Sequence, residues 1–158
     1  MPLVELSDAA IVAVNVIVFA GSSVAASHLA RRRAFARDTW LTRPRAFERD
    51  GAAYERLLIR RWKDRLPEVG GAKRAVGGRD RAALARFVVE TRRAEWVHWS
   101  ILAAVPLFVV WNPPSALVLV AVVGLAFNLP CVLVQRYNRL RLQRVLRLGE
   151  QRAGRGSP

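Results

Sequence analysis

VHWSILAAVPLFVVWNPPSALVLVAVVGLAFNLPCVLV, residues 97–134, contains no Asp, Glu, Lys or Arg. A soluble helical hairpin keeps one dry face and one charged face. Here both halves are apolar around their whole circumference, so neither has a side suited to water. The halves, Val97 to Trp111 and Ser115 to Val134, flank Asn112-Pro113-Pro114. Crossing a bilayer core takes about 20 helical residues, which the second half supplies and the first supplies once counted back to Ala94. The stretch reads as two antiparallel spans, residues 94–111 and 115–135, held side by side by a short turn.

Towards the N-terminus, AAIVAVNVIVFAGSSVAASHL (9–29) is a further uncharged block of spanning length. Val24-Ala25-Ala26 looks like a signal-peptidase site, but Glu5 and Asp8 precede the block and Arg31, Arg32 and Arg33 follow it at once. That reverses the charge order of a signal peptide, so a retained span is expected. All 26 Lys and Arg residues fall between the first and second spans or after the third. The positive-inside bias then puts the N-terminus outside, and residues 30–93 and 136–158 in the cytoplasm. The expected fold is all-α: one multi-pass domain of the cell membrane with three transmembrane helices, N-out and C-in. This segregation reconciles 53% hydrophobic residues with a net charge of +14 in only 158 residues.

The chain carries no CxxC, GxGxxG or P-loop pattern and no internal repeat. Cys131 stands alone, so it forms no internal disulfide and reads as a packing residue. The basic charge suits lipid headgroups or an anionic substrate, and no nucleic-acid partner is expected.

Within the cytoplasmic region, the arginine-rich residues 31–43 with Phe35, Trp40 and Leu41 suit the headgroup layer. From Pro44 to Leu66, the spacing of Tyr54, Leu58 and Trp62 predicts an amphipathic interfacial helix, weakened in its first half by Gly51. Residues 67–79 read as a glycine-rich loop. Asp80 is the expected N-cap of a helix that runs into span two and kinks at Pro106. Beyond span three, residues 136–147 predict a basic amphipathic tail helix, with disorder from Gly149 onward.

The chemistry concentrates where spans two and three meet the basic side. In ETRRAEWVHW (90–99), Thr91, Glu95 and His98 share one helix face, which predicts a Glu95–His98 contact, while Glu90 lies on another azimuth. A histidine beside a carboxylate at the edge of an apolar run suits general-base activation of an alcohol. The same pair also reads as a structural marker of the membrane boundary in a non-catalytic partner protein, with Trp96 and Trp99 as anchors. Glu-x-x-His can chelate, but the other histidine, His28, lies beyond the long cytoplasmic segment, so no metal is expected. On span three, Asn128 and Gln135 share a face directed into the bundle. Gln135, Arg136, Tyr137, Asn138 and Arg139 then crowd the exit at the depth of Glu95 and His98.

WKDRLPE (62–68), ETRRAEWVHW (90–99) and NLPCVLVQRYNRLR (128–141), in this order, resemble the small membrane acyltransferases of glycosylated carotenoid synthesis, the glycosyl-4,4'-diaponeurosporenoate acyltransferases. The resemblance covers about residues 40–148. It implies transfer of a fatty acyl group to a sugar hydroxyl of a carotenoid glycoside or related lipid glycoside. Glu90, Glu95, His98, Asn128, Gln135, Arg136, Tyr137, Asn138 and Arg139 match the family's pattern, and Leu140 stands where that pattern has proline. In this reading His98 is the base and Glu95 its orienter. Asn128, Gln135 or Asn138 donates to the oxyanion. With no bound cofactor expected, acyl-CoA is the expected donor. Trp62, Lys63 and Asp64 of WKDRLPE, with Arg61 just before them, are further candidate substrate-binding residues; Arg61, Lys63, Arg92 and Arg93 would hold CoA phosphates or, equally, lipid phosphates. The expected partners are membrane lipids, a lipidic glycoside acceptor and an acyl donor. Three spans are few to enclose two lipidic substrates, which is compatible with a homo-oligomer.

Overall fold

The computed structural model describes residues 2–66 and 80–155, without the side chains of Arg32 and Arg33. The expected glycine-rich loop at 67–79 and the last residues, 156–158, lie outside the described residues. In chain order the helices are α1 (Asp8–Leu29), the single turns α2 (Ala52–Glu55) and α3 (Ile59–Trp62), α4 (Arg81–Ala104) and α5 (Pro114–Arg155). No strand occurs among the described residues. Three of these helices are long and apolar enough to cross a membrane: α1, α4 with its extension to Val110, and α5.

Local chemistry sets the ends of these helices. The Ser7 hydroxyl accepts from the Ala10 amide at 3.4 Å and starts α1, with Asp8 in the favourable first turn. The Asp80 carboxylate accepts from the Ala83 amide at 2.7 Å and starts α4, as its sequence predicts. Pro106 lacks the amide hydrogen that would continue the ladder, and α4 tightens into a 3-10 helix over Val105–Val110. After the turn at Asn112 the chain returns as α5. Its 42 residues make a rod about 60 Å long, roughly twice a hydrocarbon core, so its basic half projects beyond the apolar half.

α5 packs along α4, and α1 packs against α4. The three helices converge at Gly124, where a Cβ would lie 3.4 Å from Val105 Cγ2 and 3.5 Å from Phe19 Cζ. Phe19 in turn packs on Phe108 with ring centroids 4.8 Å apart. A polar tie closes the Asn112 end. Asn15 Nδ2 donates to Asn112 Oδ1 at 2.9 Å, and Asn112 Nδ2 and the Trp111 indole donate to Asn15 Oδ1 at 2.9 and 2.8 Å. The sequence reading passed over Asn15 as one neutral residue in an apolar block.

Two expectations need correction. Residues 44–66 form no continuous helix. They break into a 3-10 turn over Ala46–Gly51, then α2, α3 and a second 3-10 turn over Lys63–Arg65. The breaks fall where φ is positive, at Arg49 (47°), Asp50 (55°), Gly51 (96°) and Leu58 (52°). The cause is tertiary: the segment turns Glu48 inward and buries Tyr54 and Ile59 against Tyr137 and Leu140 of α5. Each such burial outside the bilayer contributes about 1.5–3 kcal/mol, more than local helix propensity offers. Secondly, the tail does not stop being helical at Gly149, since α5 is regular to Arg155. Arg147 pairs with Asp50 at 2.5 Å and Arg81 pairs with Glu150, which ties the tail to its neighbours.

Candidate active site

His98 and Asn128 face each other across the α4–α5 seam, with His98 Nδ1 2.9 Å from Asn128 Oδ1. The other end of the same amide decides the proton's position. Asn128 Nδ2 donates to the Gly124 carbonyl at 2.9 Å, so Oδ1 must face the imidazole, and it can only accept. Nδ1 therefore carries the hydrogen, and Nε2 has no hydrogen-bond partner among the described residues. His98 is partly exposed. One residue on, the Trp99 indole N–H is buried without a partner among the described residues.

Glu95 does not contact His98, contrary to the sequence-based expectation. It is fully buried and receives Arg136 Nη1 on Oε1 at 2.6 Å and Arg139 Nη1 on Oε2 at 2.5 Å. Helical spacing placed Glu95 and His98 on one face, but two arginines from α5 outcompete an imidazole for the carboxylate. Arg136 continues to Glu48, with Nε on Oε1 at 2.5 Å, and donates to the Leu41 and Arg43 carbonyls at 2.9 and 3.0 Å. Arg139 Nη2 donates to the Thr42 carbonyl at 2.7 Å. Glu48, Arg136, Glu95 and Arg139 thus form an alternating, neutral chain of charges that fastens residues 41–48 to both long helices. Burial disfavours the Glu48 carboxylate, but hydrogen bonds from Arg136, Tyr54 and the Arg45 amide outweigh it and hold its pKa below the ordinary value. Burial, then the bond to Glu48, pushes the Tyr54 phenol above its ordinary value, so it stays a donor.

Arg92 and Arg93, expected to hold phosphates, are engaged in the fold. Arg92 is buried, with Nε on Asp38 at 2.7 Å and Nη1 on the Phe35 and Ala36 carbonyls at 3.2 and 2.9 Å. Arg93 bridges Glu90 at 3.0 Å and the Ser27 carbonyl at 3.2 Å, near the end of α1. Glu90 is therefore placed on the α1 side, away from the His98–Asn128 pair. Trp62 donates from its indole to the Leu57 carbonyl at 2.9 Å, and Arg61 is exposed. Gln135 is partly buried. Lys63, Asp64, Tyr137 and Asn138 gather around an open groove of about 500 Å3, together with Arg60, Phe87, Arg141 and Leu142. The sequence reading missed these last four. Only the three-dimensional turn at Leu58 aims Arg60, rather than Arg61, at α5.

A family model described as glycosyl-4,4'-diaponeurosporenoate acyltransferase matches residues 37–148. The chain belongs to this acyltransferase family. Among proteins of that name, one from Staphylococcus haemolyticus (strain JCSC1435) is 30% identical over 115 residues, 68% of this chain and 66% of that one. One from Staphylococcus aureus (strain N315) is 28% identical over 118 residues, 69% of this chain and 70% of that one. The chain thus spans about two thirds of the length of these relatives. No solved structure matches it significantly. The stretch matched to the acyltransferase family holds Glu48, Glu95, His98, Asn128, Arg136 and Arg139, so the charge chain and the His98–Asn128 pair both lie inside it. α1 lies before the family match, as a helix packed against α4 from outside that stretch.

Proposed function

We propose that this chain is a membrane O-acyltransferase that esterifies a sugar hydroxyl of a lipid glycoside at the cytoplasmic leaflet of the cell membrane, with His98 as general base. The relatives' name supports a glycosylated diaponeurosporenoate as acceptor class, and the placement of every Lys and Arg supports the cytoplasmic side. The observation that carries the base is the Asn128 amide, which holds a hydrogen on Nδ1 and leaves Nε2 as the ring nitrogen available to substrate. Nε2 takes the proton of the sugar hydroxyl as its oxygen attacks the thioester carbonyl of an acyl-CoA. The tetrahedral adduct collapses with loss of the thiolate, which recovers the proton from the imidazolium. The ester remains on the sugar and His98 ends neutral. Apolar tails of both substrates lie along the exposed apolar faces of the helices.

Acyl transfer from labelled acyl-CoA to a glycosylated carotenoid, in membranes holding the chain, tests this reading. His98→Ala should lower the rate about 10²–10⁴-fold while the protein still accumulates. Full activity in that variant would sink the assignment of the base. Pigment and lipid profiles of cells with and without the chain identify the acceptor.

A further inference from the structure

The groove beside α3 has a composition and a position that the base alone does not explain. Arg60 and Lys63 from one wall and Arg141 from the other face one volume. Asp64, the single carboxylate among its described lining residues, pairs with Lys63 at 3.2 Å, and Arg141 pairs with Glu55 at 3.5 Å at the surface, so a phosphate would have to compete with exposed ion pairs. Phe87 and Tyr137 add aromatic surface, and Asn138 adds an amide. Arg141 sits over the Tyr137 ring at 5.5 Å, so cation and ring already stack.

Its distance from the base can be read from both helices. Phe87 and His98 lie about three helical turns apart on the same face of α4, a separation of about 16 Å. Asn128 and Asn138 on α5 lie about 15 Å apart along the axis. An extended pantetheine arm, from thioester sulfur to diphosphate, covers about 15–20 Å by ordinary bond lengths. The separation matches the donor.

We propose that this groove seats the nucleotide end of acyl-CoA. The phosphates meet Arg60, Lys63 and Arg141, and the adenine lies against Phe87 or Tyr137. The pantetheine arm follows the α4–α5 seam past Gln135 and delivers the thioester to His98 Nε2. This deepens the proposed function and rests on it for the last step only.

Binding is measured first, with the full chain in phosphatidylcholine–phosphatidylglycerol nanodiscs and coenzyme A as probe. Arg60→Glu and Lys63→Glu should each weaken binding about tenfold or more, as loss of a charge-assisted contact does. Arg152→Glu, the same charge change on the exposed tail, should leave it unchanged. Adenosine 3′,5′-bisphosphate should displace coenzyme A at far lower concentration than glycerol 3-phosphate does, a preference that a site for lipid headgroups would not show. In turnover, Arg60→Glu should raise KM for acyl-CoA and leave KM for acyl-pantetheine, which lacks the nucleotide, unaltered. Wild-type binding in Arg60→Glu and Lys63→Glu, or no displacement by the bisphosphate, overturns the site. So does preference for a donor carried on acyl carrier protein that is indifferent to Arg60→Glu. Coenzyme A binding that depends on Arg60 in a chain with no transferase activity supports the groove and removes the proposed function instead.

Discussion

At the residue scale, the base proposed at His98 depends on Asn128, an amide expected from the sequence to serve the oxyanion. Asn128 has its carbonyl on the imidazole and one N–H on Gly124, which makes it a positioning residue. Asn128→Leu removes the acceptor for Nδ1–H and should lower the rate about 10–100-fold, whereas Asn128→Asp keeps an acceptor there and should retain more activity. Equal losses in the two variants, at equal protein levels, would contradict the positioning role. Glu95 behaves differently. Glu95→Gln leaves Arg136 and Arg139 short of their shared counter-charge, a loss of about 3–5 kcal/mol for a buried pair. The expected result is poor accumulation and early thermal unfolding; a stable variant with a selective rate defect would restore Glu95 to the catalytic set. The shared helix face of Glu95 and His98 was legible as spacing, but the pairing it suggested does not form. What spacing could not show was that α5 presents two arginines to the same carboxylate.

Glu48 also gives the fold a pH dependence. Its folded pKa lies below the ordinary 4.5, so the stability it contributes is present above that value and lost as pH falls through the folded one. Resistance of residues 41–55 to proteolysis should therefore hold from about pH 5 to 8 and fall in stronger acid. Glu48→Gln should remove this acid step. An unchanged acid profile would assign the step to another carboxylate.

At the element scale, the three spanning helices were legible because their signal is composition, which needs no knowledge of neighbours. The segment 44–66 was misread because its apolar spacing fits a helix while its partners on α5 demand a folded-back loop. Gly51 was the clue available in the sequence, and its role is specific. It has φ of 96°, and a Cβ there would lie 3.4 Å from Arg141 Cγ and 3.5 Å from Tyr137 Cδ2. Gly51→Ala should cost about 1–2 kcal/mol, read as a drop in the thermal midpoint in detergent. No change in midpoint would mean that the loop relaxes around the new methyl group.

At the scale of the whole molecule, the charge asymmetry of the sequence fits the architecture. The end carrying Asn15, Trp111 and Asn112 is closed by neutral amides, and the other end by ion pairs. An N-out, C-in chain makes a direct forecast. In a Cys131→Ser background, Ser115→Cys should react with an impermeant maleimide on intact cells, and Gln151→Cys only after permeabilisation. The reverse pattern would invert the topology and move the proposed site to the other leaflet.

The alternating chain of Glu48, Arg136, Glu95 and Arg139 also dictates an order of assembly. Both carboxylates leave the ribosome well before both guanidiniums, since the arginines follow the third apolar block. Until α5 has been inserted and extended past Arg139, Glu48 and Glu95 lack the two guanidiniums they hold in the finished fold, and residues 41–48 cannot take their final path. The first half of the chain therefore waits, unfinished, for the last helix. A nascent chain stopped at residue 135 would hold both carboxylates without the guanidiniums that bury them in the finished fold.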